Sequence, residues 1–471
     1  MNTTGRIGKN FGWLFLGDVL AKSLLFFTTI WIARRLADEA FGKLSFAQAI
    51  LEYFIIVVDL GLPIYGTREI AYEPKNTNKI VANIISIRLF LAVVLLLASM
   101  TTLFFLNIEF ELKLIIAATL LWMIPWALNT EFAFKGLEKM QFVSLGQFLF
   151  QFLFLISALI IVHQATDVLK VPFLRTGAAL MVSLTLLWVL WKKLGFSPFY
   201  IIRIINRTDW WSFIRDSLLL VASLVVIKIY YSFDTLMLGL YGQMAEVGWY
   251  NAAYKIILIF VTFAGLLQTA FAPYFVQQQK NRDKFIQGIQ KFALFLMVSG
   301  TIITTVLFSF SDLMIPFLFG DKFLNSSWIL RYLSLSLIFI FADTIYLAPL
   351  LFTGSQKYYL YSVGIGAILN IILNSILIPV YSYYGAVIAT ILSNAMVFLL
   401  GFYYFKKIYE FDWLTFKFLL YGMSGCLILI CIFVCLSNIS YWLSFSIFCL
   451  ILITISWIWR KKILALIQEI T

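Results

Sequence analysis

Long runs of apolar residues without a single charge dominate this chain. Four of them are Leu91–Leu106, Leu114–Met123, Phe148–Val162 and Gly425–Cys435. A helix needs about 20 apolar residues to cross roughly 30 Å of hydrocarbon, whereas barrel strands are shorter and alternate apolar with polar residues. The runs therefore predict an all-α membrane protein. With 62% hydrophobic and 12% charged residues, the chain has too little polar surface for a water-soluble fold.

We predict fourteen transmembrane helices from these runs. Their approximate ranges are 10–33, 44–66, 80–106, 113–133, 142–163, 173–191, 214–240, 248–273, 289–318, 328–352, 358–380, 384–405, 415–437 and 439–459. The loops between them are short, and the longest runs from about Lys192 to Phe213. We therefore expect no extramembrane domain, and any function has to be performed within the helix bundle.

Basic residues are distributed unevenly between the two sides of this bundle. The N-terminus, the C-terminus and every second loop hold 23 of the 35 Lys and Arg residues, whereas the alternate loops hold 8. Cytoplasmic loops carry the excess of Lys and Arg in membrane proteins. We therefore expect a multi-pass protein with both termini in the cytoplasm, in a bacterial inner (cytoplasmic) membrane.

The sequence also contains an internal duplication. Pairs at an offset of 206 residues are Lys9 with Arg215, Lys22 with Lys228 and Gly42 with Gly248, and pairs at an offset of 218 are Gly136 with Gly354 and Lys139 with Lys357. Helices 1–6 thus repeat as helices 7–12, in one orientation because six is even. We predict two parallel six-helix lobes related by a pseudo-twofold axis along the membrane normal. The N-lobe is 1–200, the C-lobe is 201–410, and 411–471 holds helices 13–14 and a cytoplasmic tail.

Ionisable residues inside the predicted helices are candidate functional groups, because a charge in hydrocarbon is costly unless it meets a partner or water. Asp18 and Lys22 are one helical turn apart and can pair. Facing lobes would enclose a central cavity lined by these groups. Its predicted cationic residues are Lys22, Lys228, Lys255, Arg88, Arg215 and Lys9, and its predicted polar or ion-coupling residues are Asp18, Glu52, Asp59, Gln48, Asn251 and Asp234. Several Lys and Arg groups in one cavity suit an anionic head group.

We expect neither a catalytic nor a metal site. The single histidine, His163, ends a predicted helix, and the four cysteines show no CxxC spacing and no neighbouring histidine. Phosphate-binding glycine loops and nucleotide motifs are absent from the sequence. The chain is therefore expected not to be an enzyme, to need no cofactor and to bind no nucleic acid. Coupling to an H⁺ or Na⁺ gradient stays open.

Several motifs together resemble a known family. They are N-x-x-W at Asn10–Trp13, A-R-R-L-x-x-x-x-F-G at Ala33–Gly42, D-L-G-L-P-I-Y-G-T-R-E-I-A at Asp59–Ala71, V-G-W-Y-N-A-A-Y-K at Val247–Lys255 and L-N-I-I-L-N-x-x-L-I-P-x-Y at Leu369–Tyr381. In order and spacing they resemble the polysaccharide-transporter branch, with its Wzx-type flippases, of the multidrug/oligosaccharidyl-lipid/polysaccharide exporter (MOP) superfamily. The chain departs from this pattern at Lys22, where related lipid flippases often have arginine.

This resemblance implies two lobes that open alternately around a cationic cavity. It also implies a substrate of undecaprenyl pyrophosphate carrying an oligosaccharide repeat unit, such as that of O-antigen or another surface polysaccharide. The expected partners are this lipid-linked substrate, membrane lipids, a polysaccharide polymerase and a chain-length regulator. Two alternatives stay open: a cation-coupled multidrug exporter, which Glu52 and Asp59 would suit, and a membrane polysaccharide polymerase.

Overall fold

Helices build the part of the chain that this computed structural model describes, residues 3–194 and 207–409. They are α1 (Thr3–Asp59), α2 (Leu62–Tyr72), α3 (Thr77–Phe105), α4 (Phe110–Leu120), α5 (Met123–Leu128), α6 (Glu131–Gly136), α7 (Met140–Ile161), α8 (Lys170–Leu194), α9 (Arg207–Tyr241), α10 (Met244–Gln278), α11 (Arg282–Phe319), α12 (Asn325–Leu333), α13 (Leu335–Phe352), α14 (Gln356–Tyr381) and α15 (Tyr383–Tyr409). The predicted all-α membrane fold is confirmed, since ten helical stretches of the described ranges are long and apolar enough to cross a membrane.

The longest element, α1, has to contain two membrane spans. Its 57 residues would extend about 86 Å, far more than the roughly 30 Å of hydrocarbon in a bilayer. Ala37 divides it, with a non-helical backbone at φ 65° and ψ −179°. This position falls between the predicted spans 10–33 and 44–66. Spans 415–437 and 439–459 lie outside the described residues, so the total of fourteen stays a prediction.

Two compact units make up the chain, Met1–Gly248 and Trp249–Thr471. Helix α9 packs within the first unit, where the Phe213 ring lies 5.3 Å from the ring of Tyr65 on α2. Trp210 lies 5.7 Å from Phe90 on α3 in the same way. The predicted lobes 1–200 and 201–410, and the tail region 411–471, stay predictions.

The predicted span 113–133 is not one helix but three short ones, α4, α5 and α6. Pro125 has no N–H to donate back to the Leu121 carbonyl, which instead accepts from the Ile124 N–H at 3.1 Å. At Asn129 the backbone is extended, with φ −65° and ψ 125°, and α5 ends. Each break leaves carbonyls without a helical partner, and the bilayer interior holds no water to satisfy them.

The motif that begins at Asp59 forms a tight turn between α1 and α2. Leu60 and Gly61 have left-handed backbones, with φ of 41° and 72°. Pro63 then occupies the first turn of α2, where its missing N–H costs nothing. The turn fixes Asp59 as the last residue of α1. The apolar core of the first unit is shared by α2, α3, α6, α7 and α8.

An ion cluster joins two connections that the charge count places on one side of the membrane. Lys43 follows the break in α1 and is buried, and its Nζ lies 2.9 Å from a carboxylate oxygen of Glu109 and 2.6 Å from one of Glu111. Glu39 adds a third carboxylate at 3.3 Å. The segment after Ala37 and the connection between α3 and α4 therefore meet, as two loops on the same side can.

One close backbone approach involves a pair from the predicted duplication. A Cβ atom on Gly42 would overlap the carbonyl oxygen of Met244 and lie 2.9 Å from the Gly248 nitrogen. A Cβ atom on Gly248 would in turn overlap the carbonyl oxygen of Asp38. Both glycines are therefore required by space. The contact therefore joins two positions that the predicted duplication makes equivalent.

Candidate functional site

A buried arginine occupies the break between α5 and α6. Arg88 of α3 is only 2% exposed, and its Nη2 and Nη1 donate to the carbonyls of Trp126 at 2.7 Å and Asn129 at 3.0 Å. Asp59 balances the charge, with its Oδ1 2.8 Å from Nη2. A cation at the C-terminal end of a helix also interacts favourably with the helix dipole. Arg88 thus gives the Asn129 carbonyl a donor in the membrane interior and adds a second donor to the Trp126 carbonyl, which also accepts from the Asn129 N–H at 3.1 Å.

Two tryptophans connect Arg88 to a second arginine. Trp126 donates its indole N–H to Asp59 at 3.1 Å, and its ring stacks on that of Trp122 with centroids 4.8 Å apart. The Arg175 guanidinium of α8 lies 4.8 Å from the Trp122 ring centroid, and that of Arg88 lies 5.9 Å from the Trp126 centroid. We call these four side chains the Arg–Trp row. Cations over aromatic faces gain more in a dry environment than in water.

A cavity of about 330 Å³ lies beside the Arg–Trp row, within the first unit. Five helices and the break after α5 contribute to it. Its polar lining residues are Asp18 and Lys22 of α1, Trp122, Trp126 and Asn129 at α5, Glu131 of α6, Gln147 and Gln151 of α7, and Arg175 and Ser183 of α8. Such a number of polar groups inside a membrane bundle indicates a functional site. We call it the row cavity.

The ionisable groups of the row cavity are two acids and two bases. Lys22 pairs with Asp18 at 2.7 Å, as the sequence allowed. Glu131 accepts from Asn129 Nδ2 at 3.3 Å and from Gln147 Nε2 at 3.2 Å. Arg175 interacts electrostatically with Glu52 but forms no hydrogen bond within the part of the chain that is described. The cavity therefore carries no net charge and keeps the donors of one guanidinium available.

A second cavity, of about 630 Å³, lies on the other side of the wall formed by Trp126, Asn129 and Glu131. Three bases and two acids line it: Arg68, Arg88, Lys135, Asp59 and Glu131. Two of these bases, Arg68 of α2 and Lys135 of α6, lie between predicted spans, in connections that the charge count places in the cytoplasm. The two cavities thus differ in charge, and the second carries a net positive charge.

The structure brings four of the predicted site residues together in the first unit, Asp18 with Lys22 and Asp59 with Arg88. The other predicted residues are more scattered. Glu52 and Gln48 are half-buried on α1, Asp234 is buried on α9, and Arg215 is exposed on α9 beside Asp216. Lys9 and Lys228 lie in α1 and α9, and their side chains are outside the described part. Whether these residues line one central cavity stays a prediction.

Asn251 and Lys255 belong to the second unit, on α10. Asn251 is buried and Lys255 is half-buried. The same unit has a neutral polar cluster between α14 and α15, in which Asn374 Nδ2 donates to Asn370 Oδ1 at 2.9 Å and Asn370 Nδ2 donates to Ser393 Oγ at 3.3 Å. The second unit thus groups amides and hydroxyls where the first unit groups charges.

Sequence reasoning missed most of the row cavity. Arg175 lies near the start of the predicted span 173–191, where a basic residue resembles an ordinary loop charge. Gln147 and Gln151 are one turn apart in an otherwise apolar helix, and this spacing indicates a polar stripe on one face of that helix. Trp122 and Trp126 have the same spacing. None of these pairs reveals its partners on other helices without the fold.

The comparisons agree with this architecture. A family model described as polysaccharide biosynthesis protein matches residues 7–279. The structure resembles that of the lipid II flippase MurJ in an inward closed conformation, with a TM-score of 0.74, 15% identity, and coverage of 96% of this chain and 99% of that chain. No curated protein sequence matches the chain.

Two transporters of the MATE family also share the fold. One is a multidrug resistance transporter of the MOP superfamily in an inward-facing conformation, with a TM-score of 0.63, 15% identity, and coverage of 83% of this chain and 96% of that chain. The other is VcmN of Vibrio cholerae, with a TM-score of 0.57, 14% identity, and coverage of 88% and 98%. Because the family model covers more than half of the chain, the resemblance noted in the motifs is confirmed. The chain is a multi-pass membrane protein with the fold of these transporters, and it belongs to the polysaccharide biosynthesis protein family.

Proposed function

We propose that this transporter flips undecaprenyl-pyrophosphate-linked oligosaccharide repeat units, of O-antigen or another surface polysaccharide, from the cytoplasmic to the outer leaflet of the bacterial inner membrane. The observation that carries the proposal is the match to the polysaccharide biosynthesis family in a chain whose helix bundle encloses charged cavities. A glycan attached to lipid cannot cross hydrocarbon unaided, because its polar groups would lose their hydrogen bonds to water. Polar cavities between helices provide the alternative partners.

In this mechanism the head group enters the bundle while the polyprenyl tail stays in lipid. Lys22, Lys228 and Lys255 are the cations proposed to attract the pyrophosphate. Movement of one lobe against the other then exposes the head group to the opposite side. Coupling to an H⁺ or Na⁺ gradient through carboxylates such as Asp18 and Glu52 is part of the same proposal.

Reconstitution tests this function directly. Proteoliposomes containing a lipid-linked glycan should expose it to an externally added lectin when the wild-type protein is present, and K22Q/K228Q/K255Q should abolish that exposure. The control K75Q/K280Q/K357Q removes three lysines outside the proposed cavity and should retain flipping. Full activity of the first triple variant would overturn the cavity assignment. Export of cationic dyes without any lipid movement would overturn the flippase itself and favour the drug-exporter alternative.

A further inference from the structure

The row cavity presents flat polar groups rather than a cluster of like charges. Six of its side chains end in a planar carboxylate, amide or guanidinium: Asp18, Asn129, Glu131, Gln147, Gln151 and Arg175. Each planar group offers two neighbouring hydrogen-bonding atoms in fixed geometry. Vicinal hydroxyls of a sugar ring present pairs of donors and acceptors at a matching spacing. Two tryptophans in the wall supply the apolar surface that the C–H faces of a sugar require.

The charge of the row cavity argues against a phosphate inside it. Its two acids offset its two bases, and Lys22 is already paired with Asp18 at 2.7 Å. The Lys22 side chain is 49% exposed, so a pyrophosphate that it attracts would lie outside the cavity. Glu52 adds a further negative charge in the field of Arg175. A multiply charged pyrophosphate would meet these carboxylates without a cationic surplus, and like charges in a poorly screened site repel strongly. A neutral ligand meets no such penalty.

Hydrogen-bonding capacity leads to the same conclusion. Gln151 Oε1 and Trp122 Nε1 are buried at the cavity wall, and neither has a hydrogen-bond partner among the described residues. A buried polar atom without a hydrogen-bond partner destabilises the protein, because it has lost its water and gained nothing in return. An ionised phosphate can only accept, so it cannot satisfy Gln151 Oε1. A hydroxyl both donates and accepts, so a polyhydroxylated ligand can satisfy both atoms and also accept from Arg175.

The size of the row cavity limits the ligand to a small unit. Its 330 Å³ lies at the lower end of the range of about 300–1,000 Å³ for small-molecule sites. A cavity at this end of the range suits one sugar ring better than an oligosaccharide. The rest of a glycan would have to lie outside it.

From these observations we infer that the row cavity is a sugar-binding subsite, which takes one neutral monosaccharide unit of the transported glycan. The inference rests on the proposed function for the identity of the ligand. It assigns Arg175, Gln147 and Gln151 to recognition of sugar hydroxyls, a role separate from attraction of the pyrophosphate. The subsite would make transport depend on which sugar the lipid carries.

Glycan binding tests the subsite without any transport. The purified full-length protein in detergent, applied to an array of immobilised neutral glycans, should be retained by a subset of them. Gln151→Ala should weaken that retention about tenfold, since one hydrogen bond to the sugar and its geometry are lost. Ala179→Leu, which fills the cavity without removing a polar group, should weaken it as well. Gln141→Ala is the matched control, because Gln141 is exposed on the same helix outside the cavity.

The outcomes separate this inference from the proposed function. Retention of no glycan by the wild-type protein, or wild-type retention by both cavity variants with unchanged melting temperatures, would overturn the subsite. Displacement by inorganic pyrophosphate but by no free sugar would overturn it too, in favour of a phosphate site. A wild-type protein that binds glycans yet moves no lipid-linked glycan in proteoliposomes would leave the subsite standing and reject the flippase.

Discussion

Two predicted spans of this chain, 113–133 and 328–352, are interrupted, and the two interruptions differ in kind. In the first unit the helix opens at Asn129, where the backbone is extended. In the second unit α12 gives way to α13 at Ser334, whose φ of −58° and ψ of −27° stay within the helical region. The first interruption separates two helices, whereas the second is a local irregularity in a continuous one.

The two sites also satisfy their backbone groups differently. Arg88 and Asp59 are brought from α3 and α1 to the open break, where the guanidinium takes two carbonyls. At the irregularity around Ser334, hydroxyls donate to carbonyls of their own turn. Ser334 Oγ donates to the Arg331 carbonyl at 2.6 Å, and Ser336 Oγ donates to the Leu333 carbonyl at 2.7 Å. The backbone groups at the open break are thus satisfied by a buried ion pair, whereas at Ser334 hydroxyls of the same helix are sufficient.

The largest difference is expected when the arginine near each interruption is removed. Arg88→Met leaves the Asp59 charge without its cation and the Asn129 carbonyl without its donor, and breaking a buried pair of this kind costs about 3–5 kcal/mol. Arg331→Met removes a pair with Asp312, whose side chain is 56% exposed, and should cost about 0–1 kcal/mol. The melting temperature of each variant in detergent measures the difference. Equal losses would show that Arg88 does not stabilise the open break.

A smaller difference is expected at the turns that follow the interruptions. A Cβ atom on Gly136, at the end of α6, would lie 2.8 Å from both the Thr67 carbonyl oxygen and Ile70 Cβ, so Gly136→Ala should cost about 1–3 kcal/mol by overpacking α2 against α6. Gly354 follows α13 with φ 85° and open space around it, so Gly354→Ala should cost about 1 kcal/mol through backbone strain alone. Melting temperatures again decide, and a larger loss at Gly354 would contradict the close approach.

The smallest pair concerns the polar residue at each interruption. Asn129 Oδ1 accepts from the Glu131 N–H at 2.8 Å at the start of α6, and Asn129→Ala should cost about 1 kcal/mol, as the loss of a helix cap does. Ser334→Ala removes a hydroxyl that bonds back within its own helix and should change stability by about 0.5 kcal/mol or less. If Ser334→Ala lowered the melting temperature as much as Asn129→Ala, the junction between α12 and α13 would also depend on the side chain at its interruption.

The sequence was sufficient to predict that membrane-spanning helices build the described part, because a span of apolar residues is a local property. It could not reveal the open break, since the run from Leu114 to Met123 reads as one helix and only Pro125 and Asn129 interrupt its continuation. Tertiary contacts decide whether a proline bends a helix or opens it. Here the decisive contact comes from Arg88, 41 residues before the Asn129 carbonyl that it binds.

The candidate site was predicted unevenly for the same reason. Asp18 with Lys22 is a local pair, one turn apart, and the sequence was enough to propose it. Asp59 and Arg88 were each singled out as charges inside helices, but their pairing depends on how α1 and α3 pack. Arg175 was not singled out at all, because a basic residue near the end of a span resembles an ordinary loop charge.

The contact between Gly42 and Gly248 has a consequence for the origin of the chain. If the two halves arose by duplication, the ancestor was a half-length protein that paired with its own copy, and this glycine faced itself across the dimer axis. A substitution of that glycine would have altered both subunits of the dimer at once. Fusion would have removed that constraint from the neighbouring residues: beside Gly42 stands Lys43 among three glutamates, and beside Gly248 stands Trp249, which donates to the Lys322 carbonyl. The two glycines, which close packing still requires, would then be what remains of the original symmetry.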